Sequence, residues 1–170
     1  SCAIVGGRAV AVAEDLDGDG IREIIGGEVG GTLFYNKNTN GNWFYTNDKF
    51  SIDVGTNSHP AFADLSGDGL LDLLVGAGNG YVYYYKNTGA KETPAFTLQP
   101  GRDTTEFDAM IDILGNAINV GAASAPTFID LDKDGDFDLV VGSAFEGLFY
   151  YKNVGSASDH KFERQITKEE

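Results

Sequence analysis

The feature that most limits what this chain can fold into is an internal repeat. Three acidic segments, EDLDGDGIREIIGG, ADLSGDGLLDLLVG and IDLDKDGDFDLVVG, align without a gap on their first aspartates, Asp15, Asp64 and Asp130. Around each of them a Val-Gly pair, a glycine, a tyrosine and a Lys-Asn pair recur at fixed offsets. The chain is therefore three copies of one unit, and its fold must be one that stacks such units side by side.

The spacing of the copies sets the domain organisation. Residues 1–49 form the first unit, 50–100 the second and 118–170 the third, with 101–117 as an insertion. Within the insertion the apolar residues recur at helical spacing, between a capping box and a glycine that would stop a helix. The residues concerned are Phe107, Met110, Ile111 and Leu114, with Thr105 and Asp108 as the box and Gly115 as the stop. This pattern predicts a short inserted helix.

Each unit contains four segments with strand character. They lie at 8–14, 23–26, 32–36 and 43–45 in the first unit, at 59–63, 72–75, 81–85 and 95–98 in the second, and at 125–129, 138–141, 148–151 and 160–164 in the third. Both faces of the third strand are apolar or aromatic, which is typical of a sheet covered on both sides. Four strands in a unit of this size predict an all-β fold of three four-stranded antiparallel blades of a partial β-propeller.

The acidic segments join the first and second strands, and they carry the chemistry. Oxygen side chains occupy positions 1, 3, 5 and 9 of each loop, and a glycine at position 6 permits a sharp turn that lets the backbone carbonyl at position 7 join them. Ca²⁺ prefers six to eight such hard oxygen ligands. The predicted side-chain ligands are Asp15, Asp17, Asp19 and Glu23, then Asp64, Ser66, Asp68 and Asp72, then Asp130, Asp132, Asp134 and Asp138, and the carbonyls are those of Ile21, Leu70 and Asp136.

Two other interpretations of these loops compete with a calcium site. An EF-hand needs a glutamate at position 12 and flanking helices, whereas position 12 here is Gly26, Val75 or Val141. A single such loop is also compatible with an Asx-rich turn that holds no ion. Clustered carboxylates repel unless a cation lies among them, so three copies favour the metal, and Mg²⁺ is disfavoured because it prefers few protein ligands. We expect about three ions per chain, with the loop of Ser66 the weakest.

The pattern D-x-D-x-D-G-x-x-D between two strands of a repeated unit resembles the FG-GAP/VCBS repeat family of integrin-α-type propellers. The segment Ser124-Ala125-Pro126-Thr127-Phe128 and the later Tyr-Tyr-Lys-Asn also match it. The departures are Glu23 at position 9, Ser66 at position 3 and Arg8-Ala9-Val10 where the other copies have a proline. The resemblance implies structural Ca²⁺ in an extracellular, secreted or cell-surface protein, but it does not imply a particular partner. A binding or adhesion scaffold for a protein or glycan partner is the leading hypothesis.

Composition narrows the range of partners. The chain has 26 acidic and 12 basic residues and a formal charge of −14, which opposes nucleic-acid binding. It contains no run of 18 apolar residues and no signal-like N-terminus, so we expect no membrane span in this chain. A lone cysteine, Cys2, provides no internal disulfide and leaves the redox compartment open.

Three functions remain to be compared. A binding module is the leading hypothesis. An enzyme is not expected, because the only histidines are His59 and His160 and no G-x-S-x-G or H-E-x-x-H pattern occurs. The clustered carboxylates, which could otherwise serve in catalysis, are already assigned to the loops. A polysaccharide-acting propeller and a structural subunit of an extracellular filament stay as alternatives. Three blades fall short of the usual ring, so further blades from the same polypeptide or another copy are expected. Trp43 has no counterpart in the other units and is a contact candidate.

Overall fold

Twelve strands make up the regular structure of the chain. The computed structural model describes residues 10–47, 50–99, 101 and 109–165, and these contain strands but no helix. The strands are β1 (Val10–Glu14), β2 (Glu23–Gly27), β3 (Leu33–Thr39), β4 (Asn42–Asn47), β5 (His59–Ala63), β6 (Asp72–Gly76), β7 (Val82–Asn87), β8 (Phe96–Leu98), β9 (Ala125–Ile129), β10 (Asp138–Ser143), β11 (Gly147–Asn153) and β12 (Phe162–Gln165). Among these described residues, nothing helical is long or apolar enough to cross a membrane.

The strands form three separate antiparallel sheets, each a four-stranded meander. β1 to β4 form blade 1, β5 to β8 form blade 2, and β9 to β12 form blade 3. The first strands of successive blades lie against one another, β1 beside β5 and β5 beside β9. In each blade the last residue of the first strand pairs with the acidic residue that opens the second, as Ala63 does with Asp72. The predicted all-β class and the three four-stranded antiparallel blades are confirmed.

The helix predicted within the insertion is not found in residues 109–117. Met110 instead runs beside blade 2, where its N–H donates to Val82 O at 2.8 Å and its carbonyl accepts from Ile118 N at 2.7 Å. A turn follows, in which Asp112 Oδ1 accepts from Leu114 N and Asn116 N, each at 2.9 Å. The apolar residues spaced as in a helix therefore lie in a segment without helix, in which Met110 is buried. Thr105, Phe107 and Asp108 lie outside the described residues.

Both faces of blade 2 are buried against its neighbours. Leu73, Val75, Tyr83 and Tyr85 pack with Leu33, Ile52 and Val54 on the blade 1 side. Leu74, Val82 and Tyr84 pack with Leu139, Val141, Phe149 and Tyr151 on the blade 3 side. Burial of apolar side chains between sheets is the main favourable contribution to such packing. Successive side chains of each blade 2 strand point to opposite faces, so blade 2 is joined to each of its neighbours by a separate hydrophobic core.

A buried serine closes each blade junction. Ser58 Oγ accepts from Glu28 N at 2.9 Å and donates to Thr32 O at 2.7 Å. Ser124 repeats this between Ala77 N, at 2.8 Å, and Tyr81 O, at 2.6 Å. Both serines are almost fully buried, so these bonds satisfy peptide groups at the turn between the second and third strands of the preceding blade.

Close approach at the junctions requires glycine at the end of the second strand. A Cβ on Gly76 would overlap Ser124 O, whereas one on Gly142 would lie 3.7 Å from the Ala125 side chain, an ordinary contact. We expect Gly76→Ala to lower the free energy of unfolding by about 2–3 kcal/mol, because overpacking must push the junction apart. Gly142→Ala, the same change at the equivalent position, should change it by less than about 0.5 kcal/mol. Urea denaturation measures both, and equal losses in the two variants would contradict the junction argument.

Candidate metal centres

The three acidic loops, at residues 15–22, 64–71 and 130–137, share one folded shape. In each, the first aspartate accepts a hydrogen bond from the glycine N–H at position 6: Asp15 from Gly20 at 3.0 Å, Asp64 from Gly69 at 2.9 Å and Asp130 from Gly135 at 3.2 Å. The glycines adopt the left-handed conformation, with φ of 84°, 84° and 99°. The loop therefore curls back onto its own first side chain, as the position-6 glycine predicts.

A second hydrogen bond fixes the middle of each loop. The position-5 aspartate accepts from the N–H at position 7, at 2.8 Å for Asp19 and Ile21, 3.0 Å for Asp68 and Leu70, and 3.2 Å for Asp134 and Asp136. The donation from Ile21 is the main reason that the pKa of Asp19 is lowered, and the donation from Leu70 has the same effect on Asp68. These two carboxylates, Asp19 and Asp68, are thus held in the charged form that a cation needs.

Three carboxylates converge in the first and third loops. One oxygen each of Asp15, Asp17 and Asp19 lies within 4.8 Å of the others, and the same is true of Asp130, Asp132 and Asp134. In the second loop Ser66 takes the place of the middle carboxylate, which leaves Asp64 and Asp68. The structure therefore brings together the predicted side chains of positions 1, 3 and 5 in the first and third loops, and the second loop carries fewer negative charges.

Several oxygens in these loops are buried without a hydrogen-bond partner. They are Asp15 Oδ1 and Asp17 Oδ1 in the first loop, Ser66 Oγ in the second, and Asp130 Oδ1 and Asp136 Oδ1 in the third. Such atoms are costly unless another group compensates them. The sequence assigned only the backbone carbonyl of Asp136 to the site; its side chain is a further candidate ligand, and burial raises its pKa.

The position-9 aspartates of blades 2 and 3 connect the loop to the sheet. Asp72 Oδ1 accepts from Asn87 N at 2.8 Å, and its Oδ2 accepts from Leu65 N and from the Tyr84 hydroxyl, each at 3.1 Å. Asp138 repeats the arrangement with Asn153 N, Leu131 N and the Tyr150 hydroxyl. Burial raises the pKa of Asp72, and it raises the pKa of Tyr150 to about 12. The aspartate at position 9 therefore links the backbone of the loop to the third strand, with or without a bound ion.

Glu23, the position-9 residue of blade 1, differs from the two aspartates. It is fully buried, its Oε2 accepts from Leu16 N at 3.0 Å, and its Oε1 has no hydrogen-bond partner. Burial raises its pKa. The longer side chain therefore keeps the bond to the loop backbone and leaves one buried oxygen that a cation would satisfy.

A lysine from the third strand reaches every loop. Lys37 contacts Asp17 and lies 3.2 Å from Asp19 Oδ2; Lys152 contacts Asp132 and lies 3.9 Å from Asp134 Oδ2; and Lys86 lies 3.5 Å from Asp68 Oδ2. The hydrogen bond to Asp17 raises the pKa of Lys37, and that to Asp132 raises the pKa of Lys152. These contacts were not predicted from the sequence, although the constant offset of the lysines from the loops could have revealed them.

The other residues singled out by sequence lie elsewhere. His59 Nδ1 is 2.9 Å from Asn57 O, and His160 Nδ1 is 3.1 Å from Leu65 O, with its ring between Tyr84 and Phe162. Both histidines therefore pack against backbone. Trp43 is 52% exposed on β4, beside the exposed Phe44 and Tyr45.

Comparison with known proteins identifies part of this architecture. The family described as FG-GAP-like repeat matches residues 15–75, which run from the first acidic loop to the second strand of blade 2 and so include two of the three loops. No curated protein matches the chain.

Proposed function

We propose that this chain, whose residues 15–75 match the FG-GAP-like repeat family, is a calcium-stabilised extracellular propeller module. It would serve as a binding or adhesion scaffold for a protein or glycan partner. The observation that carries the calcium proposal is the convergence of carboxylates around buried, unpartnered oxygens in the first and third loops. A cation among them would offset both the mutual repulsion and the lost hydration.

The donor set favours Ca²⁺ over other metals. Positions 1, 3, 5 and 9 supply carboxylates or a hydroxyl, and no histidine or cysteine belongs to the two clusters found among the described residues. Oxygen-only sites with several carboxylates suit Ca²⁺, whereas zinc and copper prefer nitrogen or sulfur. Three ions per chain would change the formal charge from −14 to −8. Position 7 would contribute its carbonyl in each loop.

The ions would act by ordering the loops at the blade junctions. Leu16 and Leu65, at position 2 of their loops, are buried in the cores between blades. The outer hairpin of the following blade also contacts the first and second loops, since Lys91 lies over Gly18 and Ser158 over Gly67. A bound ion would therefore stabilise both a loop and the contact that the next blade makes with it.

Exposed aromatic residues support the binding role. Trp43, Phe44 and Tyr45 are consecutive and all are exposed on β4, the last strand of blade 1. Aromatic side chains are enriched where proteins contact their partners, and loops and edges on a rigid scaffold are common contact sites. We place the partner contact of the scaffold at this strand. That the chain is not an enzyme stays a prediction.

Calorimetric titration of the EDTA-treated chain with Ca²⁺ tests the proposal directly. We expect up to three ions per chain, with the first and third loops tighter than the second, because affinity in such loops follows the number of charged ligands. Asp17→Asn should remove one of the tight sites. Absence of any binding at millimolar Ca²⁺ would refute the calcium proposal.

Restoring the missing carboxylate should strengthen the second loop. We expect Ser66→Asp to tighten Ca²⁺ binding there about tenfold, because it supplies the position-3 ligand that the other two loops have. Leu114→Asp adds the same charge on an exposed turn outside the loops and serves as the matched control. Equal tightening by both substitutions would show that overall charge, and not the ligand position, controls affinity.

The repeated lysine should weaken cation binding. Lys152→Met removes a positive charge that contacts Asp132, so we expect Ca²⁺ to bind the third loop about three to ten times more tightly. Lys161→Met changes the net charge equally, but Lys161 pairs with Asp159 at 2.7 Å outside the loops. Calorimetry compares the two variants with the parent chain. Unchanged affinity in Lys152→Met would show that the lysine and the ion do not compete.

A further inference from the structure

Two asparagines of the chain are followed by glycine, Asn40 and Asn79. In such a pair the backbone nitrogen of the glycine can attack the side-chain amide carbon of the asparagine, because glycine has no Cβ to hinder the approach. The five-membered imide that results then opens with water to a carboxylate. The two pairs lie in turns that differ in how freely this attack can occur.

The Asn40-Gly41 pair is an exposed two-residue turn that joins β3 to β4. Both residues have positive φ, 53° for Asn40 and 83° for Gly41, as in the tight turns that suit a β-hairpin. The Gly41 N–H donates to Asn38 Oδ1 at 2.9 Å in an exposed contact, and a Cβ on Gly41 would meet no atom within 4 Å. Because β4 pairs only with β3, opening of this turn disturbs no other strand of the sheet.

The Asn79-Gly80 pair has both of its reacting groups engaged. The attacking group, the Gly80 N–H, donates to Ala77 O at 3.0 Å. The Asn79 side chain accepts from Tyr81 N and donates to the Tyr83 hydroxyl, each at 3.2 Å. Attack at this pair therefore requires the loss of three hydrogen bonds.

Packing against the start of blade 3 also holds the second pair. Gly80 is buried, its carbonyl accepts from Val120 N at 3.0 Å, and a Cβ on it would lie 2.7 Å from the backbone of Gly121. The side chains of Asn40 and Asn79 are both exposed, so access of water does not distinguish them. What distinguishes them is the freedom of the backbone that follows each asparagine.

We propose that Asn40 is a site of spontaneous deamidation in the folded chain, whereas Asn79 is protected. The Gly41 nitrogen loses its proton to base and forms a bond to Asn40 Cγ, the Cγ–Nδ2 bond breaks, and the nitrogen leaves as ammonia after taking a proton from water. Water then opens the imide. Opening at Cγ gives aspartate, and opening at the backbone carbonyl gives isoaspartate. No oxidation or reduction occurs, and water is the only co-reactant.

Either product places a new carboxylate beside the exposed aromatic residues of β4. This strand begins at Asn42, directly after the turn, and Trp43 is its second residue. Isoaspartate also lengthens the backbone of a turn whose length sets the register of the hairpin. An effect of this change on partner binding rests on the proposed function, but the reaction itself does not.

Tandem mass spectrometry of the full chain, aged in mildly alkaline buffer, tests the proposal. Conversion of amide to acid at Asn40 and at Asn79 is followed over time in tryptic peptides. We expect Asn40 to react at least about tenfold faster than Asn79 in the folded chain, because Asn79 must wait for a packed junction to open. In urea, where no such opening is needed, the two rates should agree within about threefold.

Two results would overturn the proposal. One is a smaller ratio of the two rates in the folded chain, and the other is no reaction at Asn40 during a period in which the urea-unfolded chain reacts. Asn40→Asp supplies the product as a standard, and it should abolish the mass change in the peptide of residues 38–49. A mass change that persists there would also overturn the assignment, because a neighbouring asparagine would then be the one that reacts.

Discussion

Saturation with Ca²⁺ is expected to raise the melting temperature of the chain by about 10–20 °C over that of the EDTA-treated chain. An ion that binds only the folded state at one hundred times its dissociation constant contributes about 2.7 kcal/mol per site. The first and third loops then supply about 5 kcal/mol, and for a chain of this size each kcal/mol shifts the melting temperature by about 2–4 °C. Scanning calorimetry at several Ca²⁺ concentrations measures the shift.

Two controls make the result specific to the loops. Mg²⁺ at the same concentration should give a much smaller shift, because it keeps several of its waters and uses few protein ligands. The double variant Asp17→Asn with Asp132→Asn should lose most of the Ca²⁺ effect while the second loop remains intact. A shift that survives the double variant would show that the stabilising ions bind elsewhere.

Asp72→Ala is expected to lower the free energy of unfolding by about 3–5 kcal/mol. The carboxylate accepts from Leu65 N, Asn87 N and the Tyr84 hydroxyl, and it is fully buried between blades 2 and 3. Its removal leaves three buried donors without an acceptor, and each unpaired group costs about 1–3 kcal/mol before relaxation. Urea denaturation without added metal isolates this effect from ion binding.

Matched substitutions identify the source of that loss. Asp72→Asn keeps the size of the side chain and one acceptor, so about half of the destabilisation should remain. Asp159→Ala removes an exposed aspartate whose side chain pairs with Lys161 on the surface, and its effect should lie within about 0.5 kcal/mol. Destabilisation of the same size by Asp72→Ala and Asp159→Ala would contradict the bracing role of position 9.

The repeat made much of the fold predictable from sequence. The loops fix where the first strand ends and the second begins, so the segments 59–63 and 125–129 coincide with β5 and β9. Residues 8 and 9 of the predicted first strand lie outside the described residues. The fourth strands were less well placed, and β12 begins two residues later than predicted. These strands lie at the outer edge of each blade, where a weaker hydrophobic pattern leaves their limits less defined.

Other features depended on contacts between distant segments. Met110 follows a helical spacing in sequence, yet the chain there pairs with Val82, because burying Met110 between two blades outweighs local helix preference. The bond from Tyr84 to Asp72 was hidden for a similar reason, since the tyrosine fitted a packing role equally well. The local sequence pattern thus located the acidic loops, whereas the residues that hold the loops by hydrogen bonds could be identified only from the structure.

The buried serines of the junctions make the blades unfold together. Ser58 and Ser124 each complete the hydrogen bonds of a turn in the preceding blade, so two neighbouring blades cannot separate without leaving peptide groups of the preceding blade unpaired. In a repeat array, strong coupling between neighbours converts many small units into one cooperative unit. The chain should accordingly unfold in a single transition under heat or force. Units of about fifty residues that are marginally stable alone would then unfold as one cooperative domain.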